Sequence, residues 1–399
     1  MREVCKAAVI GAGPIGAALA LALSRIDEQS SILIIDAEAN APVYLPDKPD
    51  VRIFALNEGS RALLDQLGVW PEIFAERCQP YQQMHVWDAQ GSGSIEFDAS
   101  DIEADQLGHI VEASLVQSKL LAAIERQPNI QILRPDKVTA LVFEQDQALL
   151  QLKSGAEIQT ELVCAADGAK SSLRSLAKID ASEDIVGQQA IVANIFHEKP
   201  NQNCAWQIFH STGPLAFLPL DDFDGRHLSS IVWSLDSDEA DRIKGLSDPD
   251  FELALGRALE ERFGELSLAS ERFSFPLVQR HAKTYVRQSF ALIGDAAHSI
   301  HPLAGLGANI GFQDVQALTK EVSRASMRGL SWGNPQILRR YQRERRLDNA
   351  LVLKSMTGFK QLFGETYPVV SALRNLGLKS IDSMPKIKRR FIKQATMAK

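Results

Sequence analysis

The clearest pattern of apolar and polar positions lies at the start of the chain. Residues 7–10 form a short apolar run, followed by Gly11-Ala12-Gly13-Pro14-Ile15-Gly16, an apolar helical stretch to Leu23, and a second apolar run at 32–35 closed by Asp36. Short apolar runs bounded by turn residues read as buried strands, so the order is strand, tight turn, helix, strand, acid. Each part answers a demand of dinucleotide binding. Gly11 permits the sharp turn, Gly13 lets the backbone approach a pyrophosphate, and Gly16 lets helix and strand pack closely. The helix N-terminus then offers unpaired N–H groups to the phosphates, and Asp36 is placed to accept a hydrogen bond from a ribose hydroxyl. The bland alternatives are an ordinary βαβ unit and a secretory signal. Pro14 and the three glycines, inside what would be the apolar core of a signal, exclude the second.

After Asp36 comes a Pro- and Asp-rich loop at 42–50, which ends at Val51-Arg52-Ile53-Phe54-Ala55-Leu56. A helix pattern follows from Glu58, with Leu63, Leu64 and Leu67 on one face and Gly68 as its stop. Arg52 precedes an element that packs near the dinucleotide, so it is a candidate for a phosphate or flavin contact; a solvated surface arginine is the alternative. Residues 84–97 alternate as a hairpin around Gly91-Ser92-Gly93, and 110–114 lead into a helix carrying Leu115, Leu120 and Leu121. Residues 130–164 read as a meander of short strands. It ends in a further strand, turn and helix start at Asp167-Gly168, where Ser171 and Ser172 follow; this suits phosphate or ribose, and equally a plain helix cap.

From 187 to 235 the composition shifts to β-branched and aromatic residues, which predicts an antiparallel sheet in a second domain, with helix near 250–263 and more strand at 272–277. Trp206, Phe209, Phe217, Leu218 and Leu220, with Pro219 among them, either line a pocket for an apolar aromatic substrate or form the core face of that sheet. A second glycine-rich anchor follows: a buried strand runs into Gly294-Asp295, then His298, His301, Pro302, Gly305, Gly307, Ala308 and Asn309 lead into a helix at 310–323. Asp295 is placed for a sugar-alcohol chain, and 305–309 expose N–H groups suited to a ring that gains negative charge on reduction. His298 and His301 are candidates for a general base. With no third ligand near them they do not suggest a metal site, and a hydrogen-bonded structural role is the alternative.

The C-terminal third predicts a helix at 337–363 through Leu338, Tyr341, Leu347, Leu351, Met356, Phe359 and Phe363, with five arginines beside it. Residues 371–399 carry a net charge of +7 and an apolar stripe of Leu373, Leu376, Ile381, Met384, Ile387 and Phe391, broken by Gly377 and Pro385. Such a segment suits attachment to an anionic membrane surface; a solvated helix or one docked on a partner is the alternative. The whole chain, at 399 residues, has 45% hydrophobic and 23% charged residues and a net charge of −7, which argues against nucleic acid as a partner. Cys5, Cys78, Cys164 and Cys204 show no metal or redox spacing, so a reduced cytoplasmic setting without zinc or disulfides is expected. No segment beyond the N-terminal unit is apolar for the length a membrane span needs.

Taken together, GAGPIG with Asp36, the Asp167-Gly168 pair, and Gly294-Asp295 with HPLAG after it resemble the flavin-dependent aromatic hydroxylases of the p-hydroxybenzoate hydroxylase fold. Within them the chain is similar to the ubiquinone-biosynthesis (UbiH/UbiF/VisC-like) branch, through Arg52-x-x-Ala55-Leu56, Val111-Glu112-x-Ser114 and Gly213-Pro214-Leu215-Ala216-x-Leu218-Pro219-Leu220. The resemblance spans most of the chain. It implies an α/β fold: a Rossmann-like FAD-binding domain of the glutathione-reductase type, an inserted antiparallel β-sheet substrate domain, and a C-terminal helical region. It implies that Gly11, Gly13, Pro14, Gly16 and Asp36 hold the ADP half of FAD, with Arg52 and Ser114 along the cofactor. Asp167 and Gly168 serve FAD and the transient donor NAD(P)H, Gly294 and Asp295 the ribityl chain or pyrophosphate, and Pro302, Gly305, Gly307, Ala308 and Asn309 the isoalloxazine ring. Leu306 stands where the family's usual Gly-Gln-Gly turn has Gln, and Ala308 where it usually has Leu, which bears on substrate position more than on FAD.

The implied activity is hydroxylation of a polyprenylated phenol for ubiquinone, with NAD(P)H and O2, through a flavin C4a-hydroperoxide. Alternatives are hydroxylation of another aromatic, reduction of a prenyl double bond, or a non-catalytic FAD-binding scaffold for other quinone-biosynthesis proteins. The expected division is residues 1–75, 105–185 and 286–345 for FAD, 76–104 and 186–285 for substrate, and 346–399 for helices and a basic tail. The expected location is cytoplasmic, peripheral on the inner face of the membrane.

Overall fold

The computed structural model describes residues 2–299, 306–364, 384, 388–389 and 392. Its first sheet is built on the N-terminal unit. Arg2–Ile10 pairs in parallel with Ile32–Ile35 on one side and Glu157–Ala165 on the other, and the sheet extends to Ile130–Leu133 at one end and Phe290–Leu292 and Val286–Arg287 at the other. The apolar runs are continuous because these strands are covered on both faces: all four residues of Ile32–Ile35 are buried. The helix Pro14–Ser24 is likewise buried from Gly16 to Ser24, with Pro14 in its first turn. The expected meander is present at Val138–Glu144, Gln147–Leu152 and Glu157–Ala165, but Ile130–Leu133 leaves it to join the parallel sheet.

The second sheet has nine strands. In order they are His298–Ser299, Phe273–Ala282, Ala181–His197, Arg226–Asp236, Gly213–Phe223, Cys204–His210, Gln83–Asp88 and Ser94–Asp98, with Leu266–Leu268 paired to Ala181–His197. It is antiparallel except where Cys204–His210 meets Gln83–Asp88 in parallel. The helices Ser237–Lys244 and Asp248–Ala258 cover one face, where Phe251, Leu255, Leu259 and Phe263 pack on Ile191, Ile195, Leu215 and Ile231. On the opposite face Phe196, Leu220 and Leu228 meet Ile110, Ile53 and Ala55 of a small third sheet formed by Ile53–Leu56, Gly108–Glu112 and Cys78–Tyr81. That interface joins the two large sheets.

Leu306–Met327 and Pro335–Gly364 close the described fold as a packed pair of helices. The second buries Ile337, Leu338, Tyr341, Arg345 and Asn349, while Leu347 and Leu351 are each 65% exposed. The stripe expected from the sequence thus packs at Leu338 and Tyr341, but beyond them Arg345 and Asn349 take the buried positions in place of Leu347 and Leu351. Most of the basic segment 371–399 lies outside the described residues. The part that is described turns back on the protein: Lys388 pairs with Asp101 at 3.2 Å, and Ile392 is buried among Ala99, Ile102 and Leu107. All four cysteines are buried thiols. Among the described residues no helix is long and apolar enough to cross a membrane, and no group of three His, Cys, Asp or Glu is placed to hold a metal.

Candidate cofactor and active site

The glycine string forms a cradle whose walls are backbone. Gly11 has φ +106°, and a Cβ there would lie 2.5 Å from the carbonyl oxygen of Ala166. A Cβ on Gly16 would lie 2.0 Å from the Gly11 carbonyl oxygen, so helix and turn approach as closely as glycine allows. Gly13 is different: nothing lies within 4 Å of its Cβ position, and it occupies the N-cap of Pro14–Ser24 in extended conformation. The open side of Gly13 and the free N–H groups of that helix end are what a pyrophosphate needs. Asp36 accepts a hydrogen bond from Ala12 N, and Gln117 donates to Ala12 O at 3.0 Å. Asp36 thus fixes the turn from its strand end and retains lone pairs for a ribose hydroxyl.

Arg52 and Ser114 meet through Asp50. The Asp50 carboxylate accepts from Arg52 N at 3.0 Å and from Ser114 N at 3.2 Å, while Asp50 N donates to buried Glu112, which is held by Arg77 at 2.6 Å. The Arg52 side chain is exposed, and its charge reaches Asp295. The Asp295 side chain is exposed. Surrounding protein raises its carboxyl above the ordinary value, against the pull of His298 and Arg52. Asp167 has both oxygens engaged, by Ser171 Oγ at 2.5 Å and by Leu173 N at 3.1 Å and Ser172 Oγ at 3.3 Å, so it braces the start of the helix Ser172–Leu176, whose N-cap Ser171 accepts from Arg174 N at 2.9 Å. Gly168, at φ +79°, leaves open space beside that cap.

Three stretches distant in sequence converge here. The Asp167-Gly168 turn follows Ala166, which abuts both Gly11 and Gly16, and Ile15 of the glycine string fills the spaces where Gly294 and Gly311 lack side chains. Asn309 is buried and joins the start of the helix Leu306–Met327 to the third sheet. It donates to Ala55 O at 2.7 Å and accepts from Asn57 N at 3.0 Å and Ser60 Oγ at 2.7 Å. Its side chain is therefore spent on the fold, while nothing lies within 4 Å of a Cβ placed on Gly307. His298 is 1% exposed and bonded to Asp314 at 2.6 Å, a structural setting. His301, Pro302 and Gly305 lie outside the described residues.

The proposed substrate-pocket residues separate. Phe217 is fully buried under the helices of the second sheet, stacked on Phe263 with ring centroids 4.3 Å apart, and Trp206 packs edge-on to Phe263 on that same side. By alternation Pro219 shares their face. Leu218 alone of the four points the other way, beside Leu220, Ile53, Ala55 and Tyr81 at the interface with the cofactor domain. Sequence reasoning did not find Asp314, Arg345 or Asn57. A signal for the first two was present: each is a charged residue on the apolar stripe of its helix.

A parallel α/β sheet carrying a glycine cradle, with the Asp167-Gly168 and Gly294-Asp295 turns packed around it, has the features of a dinucleotide-binding flavoprotein. Comparison with known proteins agrees. Residues 4–355 match the FAD binding domain family, and the chain belongs to it. It is 34% identical over 388 residues to 3-demethoxyubiquinol 3-hydroxylase of Escherichia coli (strain K12), covering 97% of each chain. It is 31% identical to ubiquinone hydroxylase UbiL of Rhodospirillum rubrum, over 98% of this chain and 90% of that one. Among solved structures, p-nitrophenol 4-monooxygenase PnpA from Pseudomonas putida DLL-E4 superposes with a TM-score of 0.77 at 19% identity, covering 98% of both chains, which shows a common fold. FAD is the cofactor that the cradle fits.

Proposed function

We propose that this protein is an FAD-dependent monooxygenase that hydroxylates the aromatic ring of a polyprenylated phenol in ubiquinone biosynthesis, with NAD(P)H as transient donor and O2 as co-substrate. The observation that carries the reading is the end-to-end likeness to 3-demethoxyubiquinol 3-hydroxylase, over 97% of both chains, in a protein whose three glycine-bearing turns pack against one another. Bound FAD supplies the redox chemistry and oxygen activation. The chain's own residues do the rest. Gly11, Gly13, Pro14, Gly16 and Asp36 hold the adenosine diphosphate half. Arg52, Ser114, Gly168, Gly294 and Asp295 lie along the middle of the cofactor, and the backbone of Gly307, Ala308 and Asn309 faces the ring.

The apolar wall of Leu218, Leu220, Ile53 and Ala55 orients an aromatic ring with a greasy tail and keeps water out. No side chain is assigned as acid or base, because His298 is committed to Asp314. The division into an FAD domain (1–75, 105–185, 286–345), a substrate domain (76–104, 186–285) and a C-terminal region (346–399) follows the same reading. Peripheral attachment through 371–399 is part of the proposal, although Lys388 and Ile392 are engaged with the protein itself. The test is the quinone precursor that accumulates in cells lacking the protein. A polyprenylated phenol short of one ring hydroxyl is expected, and unchanged ubiquinone with no such precursor would overturn the assignment.

A further inference from the structure

The helix Leu306–Met327 carries a carboxylate, Asp314, that is 0% exposed on a buried face with Ile310, Leu318, Val322 and Ala325, and with Glu321, which is paired with Arg324 on its own helix. Its Oδ2 accepts from Gly294 N at 3.0 Å and His298 Nε2 at 2.6 Å; its Oδ1 accepts from Arg345 Nε at 2.7 Å. Arg345, 4% exposed, also donates to Asn349 at 2.9 Å, and Asn349 donates to the buried Tyr285 hydroxyl at 3.1 Å. Burial opposes the charge on Asp314, but His298 and Arg345 outweigh it and hold the carboxyl below the ordinary range.

Stability alone is a poor reason for such a group. A buried ion pair recovers little beyond its own desolvation, and well-packed apolar residues commonly serve as well. Its placement gives a better one. Gly294 sits at φ +59°, a left-handed turn whose N–H is held by Asp314, and the next residue is Asp295, which is exposed. Asp314 itself lies within two turns of Asn309, near the start of the helix whose first residues are proposed above to face the flavin ring. One carboxylate therefore bonds the turn that presents Asp295 while standing on the helix that addresses the ring.

We propose that Asp314 is a positioning residue for FAD, fixing the Gly294-Asp295 turn against the ring-facing helix so that both ends of the cleft are set before the cofactor enters. This rests on the flavin reading, and the two fail differently. Protein of the natural sequence that binds no FAD sinks that reading, whereas variants that bind FAD as tightly as the natural sequence sink only the role of Asp314.

The experiment is FAD titration of the apoprotein by flavin fluorescence quenching, with an apoprotein melt beside it. Asp314→Asn and Asp314→Ala are each made in an Arg345→Met background, so that no buried charge is stranded. Asn keeps one acceptor for Gly294 N, so the double variant that carries Ala should bind FAD about tenfold or more weakly than the one that carries Asn. The two double variants should melt within a few degrees of each other. Equal FAD affinity in the Asn and Ala variants overturns the proposal. Variants that fail to fold assign Asp314 to the fold alone, and overturn it as well.

Discussion

The cradle makes opposite predictions for two neighbouring glycines. At Gly13 the backbone is extended, with φ −64° and ψ 173°, and nothing lies within 4 Å of a new Cβ. Gly13→Ala should therefore leave the apoprotein as stable as before, or more stable by about 0.4–1 kcal/mol through the lower entropy of the unfolded chain. The same methyl would stand where the pyrophosphate approaches the backbone. Losing one charge-assisted N–H bond costs about 1.5–3 kcal/mol, or roughly 10- to 100-fold in FAD affinity. At Gly16 a Cβ would lie 2.0 Å from Gly11 O, a backbone atom that cannot swing aside. Gly16→Ala should cost the fold itself about 1–3 kcal/mol or more as strand and helix are forced apart. Apoprotein denaturation and FAD titration, run on both variants, separate the two effects. A Gly13→Ala protein that loses stability like Gly16→Ala, or one that keeps its FAD affinity, would refute the geometry given to the cradle.

Other substitutions follow the same reasoning. Asn309→Ala removes acceptor or donor from Asn57 N, Ser60 Oγ and Ala55 O, and should destabilise the protein by about 2–4 kcal/mol in chemical denaturation. Leu218→Ala should raise the KM for a prenylated phenol with little loss of stability. Phe217→Ala should instead cost about 3–5 kcal/mol of stability, because its ring is core. His109 is buried against Trp70, and burial pushes its pKa down to about 4. Its neutral form favours the fold, so the stability it leaves intact above the ordinary histidine value is lost as pH falls toward 4. Between pH 7 and 5 that loss is about 2 kcal/mol, and His109→Phe should flatten the denaturation-against-pH curve by that amount. Removal of residues 371–399 should weaken association with anionic liposomes, and unchanged binding would retire the tail as an anchor.

What was legible in the sequence was whatever the backbone demands locally. A glycine string between two apolar runs has few other uses, and Gly294-Asp295 after a buried strand is nearly as specific, so both turns stood out before the fold showed them packed together. Side-chain destinations were harder. Alternation along 213–223 shows that two faces exist but not which one meets the cofactor domain, and the large aromatic residues Trp206 and Phe217 went to the helix-covered side. On the helix Pro335–Gly364, Leu338 and Tyr341 of the expected stripe are buried, but Leu347 and Leu351 are exposed, because the buried face continues instead through Arg345 and Asn349. Asp314 and Arg345 look like errors of patterning until they are seen together, each supplying the charge that makes the other tolerable in the core. Their pairing crosses two helices, and periodicity within either one cannot reveal it.

The central claim is that this cleft puts one atom of molecular oxygen onto the ring of a prenylated phenol. The FAD-loaded protein, given NAD(P)H, a polyprenylated phenol in detergent and ¹⁸O2, should yield a product heavier by a single ¹⁸O in its ring, with donor oxidation that depends on the phenol. Oxidation of the donor with no labelled product, or a hydroxyl oxygen derived from water, would contradict it.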